Sequence, residues 1–377
     1  MRRRFLHIAS LALAAVTAVL VLLHVQGTRR AHARFDGDLA WQRPHADAVA
    51  DWALNHAGAR SQSGAGDLFD HEWTLVSCQM AVLGLSQLIH EHPELRDDYL
   101  PAMGTCSDWL ISEEARQFGT ARWGEDVLGP QAPRGAHAYA GYLALALAMH
   151  RTVEPEVPWA ADLTRLLDRL ERVVERDLHR IETYPGEAYP ADIASVLGAL
   201  GLDGREPTAA LARFRAEARD PATGLLHQSL DPRTGGKGPP RGSGTAIAAY
   251  FLSFADHPLS EELYRALPVD RVAGVSGIRE YPPGASGWGD VDSGPVVLGL
   301  GVSATGFGLA GARVHGDRAT YVRLHRTAGL FGLPAPTRQG GRWYVLGGSI
   351  GNSILLAMMT ASPEPVLPYR GPREEPP

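Results

Sequence analysis

Four short stretches of the chain gather groups able to move protons or hold a polar substrate. Asp70-His71-Glu72-Trp73 puts two carboxylates, an imidazole and an aromatic face side by side. Tyr184-Pro-Gly-Glu187-Ala-Tyr189-Pro-Ala-Asp192 alternates tyrosines with carboxylates, and Trp288-Gly-Asp290-Val-Asp292-Ser293 sets two aspartates two residues apart, with Tyr281 upstream. A looser group holds Trp123, Glu125, Asp126, His137 and Tyr139, with Arg134 and Arg241 at comparable positions. Paired carboxyl groups do acid/base work when burial lifts one toward neutrality and leaves the other ionised. On that basis Glu187, Asp192, Asp290 and Asp70 are the expected acids and bases, and Tyr189 an expected proton donor. Glu72, Trp123, His137, Tyr139, Tyr184, Arg241, Tyr281 and Trp288 are expected to hold the substrate. Each has a structural alternative: Asp70, Asp192 and Asp292 are all residue types that cap helices.

The same inventory excludes other chemistry. Fifteen histidines are scattered without HExxH or closely paired spacing, the aspartates do not form an EF-hand loop, and no metal or other cofactor is expected. Gly299 through Gly308 lies in an apolar run with no preceding strand and no lysine, so it is not a phosphate-binding loop. Gly242-Ser243-Gly244 lacks the strand–turn–helix setting of a hydrolase elbow. A formal charge of −6 and a pI near 6.2, with no basic block beyond the N-terminus, exclude nucleic acid as a partner.

The elements that must position these groups recur. Six segments rich in Ala, Gly, Leu and Ser are apolar on nearly all sides and begin just after a polar or Gly-rich loop: 71–90, 135–150, 190–201, 243–255, 293–313 and 348–360. Between them run charged amphipathic segments, 94–114, 158–181, 207–218, 259–268 and 317–330, whose apolar residues recur at three- and four-residue spacing. Buried helices alternating with half-buried ones at a period of about fifty to sixty residues predict an all-α, (α/α)6 toroid: six inner helices ringed by outer ones. The inner-helix entry loops would then meet at one mouth. Helical solenoids repeat at shorter periods of about 33–47 residues. A β-hairpin is expected within 220–238, and the Gly/Pro-rich run 277–294 reads as a functional loop.

Residues 5–25 are almost wholly apolar and long enough to span a bilayer, which predicts an N-terminal transmembrane helix. A cleaved signal ending near Ala31-His32-Ala33 is the alternative. The expected organisation is an anchor over 1–26, a juxtamembrane linker over 27–44, the toroid over 45–362 and a Pro/Glu-rich tail over 363–377. The slight arginine bias before the apolar run places the toroid outside the cytoplasm, periplasmic or at the cell surface. Cys78 and Cys106, the only cysteines, fall on neighbouring helical segments; a single disulfide and two buried thiols are equally compatible with that.

The order WGED at 123–126, AYAGYLALALAMH at 138–150, EAYPADIASVLGAL at 187–200, DPATGLLHQSLDPRTG at 220–235 and the following SGTAIAAYFLSFADHPLSEELY resembles the linalool dehydratase/isomerase domain family. The resemblance covers about residues 70–360. It implies an α/α toroid and a hydro-lyase or isomerase acting on a small alcohol or terpenoid-like substrate. It also implies catalytic cysteines around the third entry loop and a histidine on the second inner helix. Tyr184 and Ile193 stand where the cysteines would be, and Tyr142 where the histidine would be. Two other readings stay open: a glycan-cleaving hydrolase or lyase on the same ring, and a toroid that only binds lipid, glycan or protein.

Overall fold

The computed structural model describes residues 18, 24–59, 66–129, 136–291, 293–362, 364 and 366. Thirteen α-helices fall within them: α1 (Leu39–His56), α2 (Asp67–Glu91), α3 (Arg96–Ile111), α4 (Glu113–Trp123), α5 (Ala138–Val153), α6 (Ala160–Arg176), α7 (Pro190–Leu202), α8 (Thr208–Glu217), α9 (Gly242–Leu252), α10 (His257–Ala266), α11 (Val302–Val314), α12 (Arg318–Gly332) and α13 (Gly348–Thr360). A further helical stretch runs over 24–35.

Helix α2 packs on α5, α5 on α7, α7 on α9, α9 on α11, α11 on α13, and α13 returns to α2, which closes a ring of six. Composition explains which helices go inside. In α7, PADIASVLGALGL, all residues but Ala191 and Gly201 are buried, so no face is left for water. Close approach is paid for in side-chain volume: a Cβ on Gly201 would stand 2.2 Å from the Phe254 carbonyl oxygen, and one on Gly198 2.5 Å from that of Phe251. The obstacle is backbone, which cannot swing aside. Gly201→Ala is therefore expected to destabilise the protein by about 1–3 kcal/mol, the range for overpacking, although alanine is the better helix former; chemical denaturation checks the sign. The outer helix α6 does the reverse. Its Leu163, Leu166, Leu167, Leu170 and Val174 form one buried stripe, while its charges face out.

Strands interrupt the helical pattern at the mouth. Leu226–His227 pairs antiparallel with Pro240–Arg241, forming the base of the expected hairpin. A four-stranded sheet links α10 to α11, in the order Val269–Val272, Val275–Arg279, Leu300–Gly301, Val296–Val297. It shortens the fifth inner helix from the expected 293–313 to Val302–Val314. Leu298 (φ 55°) and Gly299 (φ 82°) both turn left-handed and join two short strands, a reversal that apolar continuity conceals.

The N-terminal membrane helix requires correction. Among the described residues no helix is long and apolar enough to cross a membrane. The single-pass anchor over 5–25, and the extracytoplasmic location inferred from it, are not supported; residues 1–17 and 19–23 lie outside the described residues. The part that is described, 24–35, carries Arg29, Arg30 and Arg34 and docks on the domain: Ala31 and Arg34 are buried, and Asp36 beyond it pairs with Arg318. Helix α1 begins inside the segment expected to be a linker, where Asp38 accepts from the Ala40 N–H as its N-cap. Of the tail, only 364 and 366 are among the described residues.

Candidate active site

All six inner helices contribute to one cavity of about 390 Å³ at the mouth of the ring. That volume lies within the usual range for small-ligand sites. Val76, Met80, Ile247, Phe251, Phe307 and Ile354 give it apolar walls, and Glu72, Tyr184, Tyr189, Asp192, Gln228 and Asp290 are among its polar lining.

Asp192 is placed by its neighbour Pro190. The proline occupies the first turn of α7 and requires Tyr189 before it to be extended (φ −112°, ψ 125°). This sets Asp192 on the first turn, with its side chain toward the ring and 5% of its surface exposed. It does not cap its own helix. Tyr142 on α5 donates to Oδ1 and Thr183 donates to Oδ2. Burial pushes the Asp192 carboxyl above the ordinary aspartate range, and these two hydrogen bonds oppose that only in part.

Asp290 sits on the opposite side of the titration scale. The Ser293 N–H donates to its Oδ1 at 2.8 Å, Gln228 donates to Oδ2 at 3.2 Å, and Arg241 Nη1 donates to Oδ2 at 3.3 Å. Burial raises this carboxyl as well, but the contacts of Ser293, the charge of Arg241 and the Gln228 amide outweigh it, so its pKa is lowered. Arg241 is itself fixed from three sides. Its Nε donates to Glu280 Oε1 at 2.7 Å, its Nη2 to Ser293 Oγ at 2.9 Å, and its guanidinium lies 4.6 Å from the centre of the Tyr281 ring. Glu280 is fully buried and also accepts from Ser243 Oγ at 2.6 Å. Arg241 thus bonds Asp290, Tyr281 stacks on Arg241, and neither lines the cavity itself.

The other expected residues divide clearly. Glu72 lines the cavity and accepts from Tyr184 Oη at 2.8 Å, which ties the first inner helix to the third entry loop. Tyr189 lines it too, but its Oη donates to Glu187 at 3.1 Å on the outside. Glu187 is exposed and faces a separate surface cleft with Asp231 and Arg233. Asp70 lies within the first turn of α2, where its N–H donates to the Gly66 carbonyl, and is not part of the cavity lining. Tyr139 is buried and donates to the Leu110 carbonyl, binding α5 to α3; burial pushes its pKa up. Trp123 ends α4 away from the cavity, and Trp288 stands 92% exposed on the loop. His137 pairs through its backbone with Glu182; its side chain lies outside the description, as does Asp292. Among the described residues no three His, Cys, Asp or Glu side chains gather to hold a metal.

Thr183, Gln228 and Glu280 were not singled out by sequence. Thr183 and Gln228 are neutral polar residues in loops, with no signal until their carboxylate partners are known. Glu280, a lone acid just beyond the strand Val275–Arg279, likewise carries no sequence signal of burial until Arg241 and Ser243 are brought to it.

Asp192 also makes a stability prediction. Its folded pKa is raised, so the folded state holds the proton more tightly than the unfolded chain. The favourable contribution is complete below the unfolded value, near 3.8, and is lost as pH rises through the folded pKa. Asn, neutral throughout, has no such dependence. Relative to the parent, Asp192→Asn should gain thermal stability between acid and neutral pH, as a pH series of melting temperatures would reveal.

No family model matches the sequence, and no curated protein matches it. Solved structures do align. Three are of the GH76A alpha-1,6-mannanase of Salegentibacter sp. HEL1_6, at 12–13% identity and TM-scores of 0.53, 0.51 and 0.52, covering 86% of this chain and 98% of the mannanase. Two of them are inactive variants in complex with alpha-1,6-mannotriose and alpha-1,6-mannotetrose, with two consecutive aspartates replaced by Asn in one and by Ala in the other. At this identity the likeness establishes the (α/α)6 toroid and nothing finer. It corrects the expected kinship: nothing in these comparisons supports a linalool dehydratase/isomerase relationship or lyase and isomerase chemistry. This chain's consecutive aspartates, Asp97 and Asp98, are exposed on outer helix α3, where Asp98 pairs with Arg43.

Proposed function

We propose that this protein is a glycan-cleaving hydrolase that seats a sugar in the ring mouth, with Asp192 as general acid and Asp290 as the ionised partner. The observation that carries the proposal is the presence of two aspartates in the lining of one cavity, one shifted up by burial and the other shifted down by hydrogen bonds and a guanidinium. Glycosidic bond cleavage asks for such a division of labour, in which one carboxylic acid protonates the leaving oxygen while a carboxylate acts as base or nucleophile. Tyr142 and Thr183 hold the acid in place. Ser293, Gln228 and Arg241 hold the carboxylate. The walls of Phe251, Phe307 and neighbouring aliphatic residues suit the C–H faces of a sugar ring, and Glu72 and Tyr184 supply polar contacts at the rim.

The mannanase structures supply the first probes. Alpha-1,6-linked mannooligosaccharides, followed by oligosaccharides of other linkages, would be incubated with the full chain and the new reducing ends counted. Release from at least one class is expected. A folded protein that neither binds nor cleaves any of them would sink the proposal.

A further inference from the structure

The chain's two cysteines, 28 residues apart in sequence, meet in the fold. Cys78 lies on inner helix α2 and Cys106 on outer helix α3, both with no exposed surface. Their Sγ atoms are 2.8 Å apart. Unbonded heavy atoms settle farther apart, about 3.5–4.0 Å for carbon, so the two helices hold these side chains inside ordinary contact distance and within reach of a bond. A pair of buried thiols serving only as small hydrophobes has no need of such proximity.

We propose that Cys78 and Cys106 form a disulfide that staples the first inner helix to the outer helix behind it. The bond would lie directly behind the active cavity, because Val76, Gln79 and Met80, flanking Cys78 on α2, are cavity-lining residues. On the other side Ser107, next to Cys106, meets His150 Nδ1 on α5 at 2.8 Å, so the staple would tie into the packing of the second inner helix as well. The reaction needs an external disulfide as oxidant. One cysteine thiolate attacks it and releases one small thiol; the second thiolate attacks the protein sulfur of the mixed disulfide and releases the other. Two cysteine protons end on the two released thiols, and one protein disulfide has formed. Burial disfavours thiolate formation at Cys106 in the folded chain, which places the reaction during folding, before the helices close.

The test is to produce the full chain in a compartment that supplies disulfide exchange while it folds, quench it in acid, then alkylate it without reductant in denaturant at neutral pH, where free thiols react. The expected chain takes up no alkyl group and is about 2 Da lighter than its reduced form, and prior reduction adds two groups. Its melting temperature should fall by several degrees on reduction, as for loss of a crosslink closing a loop of this length. A Cys106→Ala chain should melt at one temperature with and without reductant. Two alkylatable thiols in the chain folded under oxidant would overturn the proposal.

Discussion

Asp192→Asn should lower turnover of a cleaved glycan by about 10²–10⁴-fold, the usual contribution of a positioned general acid or base. The exchange is nearly isosteric, and the amide can still accept from Tyr142, so the pocket should survive. What disappears is a proton delivered at the leaving oxygen, and leaving groups that need no protonation should lose much less. The pH dependence follows from the two shifts. A general acid works only while protonated, so activity in the parent should fall as pH rises through the elevated Asp192 pKa. The partner works only while ionised, so activity should fall again as pH drops through the lowered Asp290 pKa. The result is a bell whose alkaline limb belongs to Asp192 and whose acid limb belongs to Asp290.

Arg241→Leu should be the most destabilising single change at the mouth, by about 3–5 kcal/mol, because it strands Glu280 as a buried charge whose remaining donor is a serine hydroxyl. The double variant Arg241→Leu/Glu280→Leu should recover much of that loss, since removing both charges removes the desolvation cost with them. Activity should not recover with it. Asp290 would still lack the guanidinium that helps hold its pKa down, and the loop that Arg241 pins through Ser293 would remain untied. Denaturant unfolding of the two variants, beside their turnover, separates the structural role of the pair from its effect on Asp290.

The ring itself was legible because it rests on composition repeated six times: helices buried on all sides must be small and apolar, and the helices outside them must be half charged. Five of the six inner helices begin within about four residues of the expected position. The exception, α11, failed where Val296 to Gly301 continues the apolar run in a strand and turn, which periodicity cannot tell from helix over so few residues. The mouth was half legible. Asp192 and Asp290 were singled out as carboxylates of expected entry loops, and both line the cavity, Asp192 at the start of α7 and Asp290 in the loop well before α11; Tyr142, Thr183, Gln228 and Glu280 gain their partners only when distant segments are brought together. Glu187 looked equivalent to Asp192 but stands on the outer face of its turn, where Gly186 (φ 92°) reverses the chain between Tyr184 and Glu187.

The apolar N-terminal run and the resemblance to a dehydratase misled for different reasons. Length and hydropathy alone do not establish a span, and the helix that follows at 24–35 is arginine-bearing and packed on the domain. The resemblance rested on features any α/α toroid shares, such as small-residue inner helices and Gly/Pro entry loops, while the cysteines and histidine that define that chemistry were missing.

The most direct test compares the full chain with Asp192→Asn and Asp290→Asn on the same glycan panel, with rates followed across pH. A working acid/base pair predicts bell-shaped kcat/KM in the parent, loss of at least 100-fold in each variant, and melting profiles that change only as the two shifts require, Asp192→Asn gaining and Asp290→Asn losing stability toward neutral pH. Turnover in either variant equal to the parent's, or a parent rate with no dependence on these carboxyls, would contradict it.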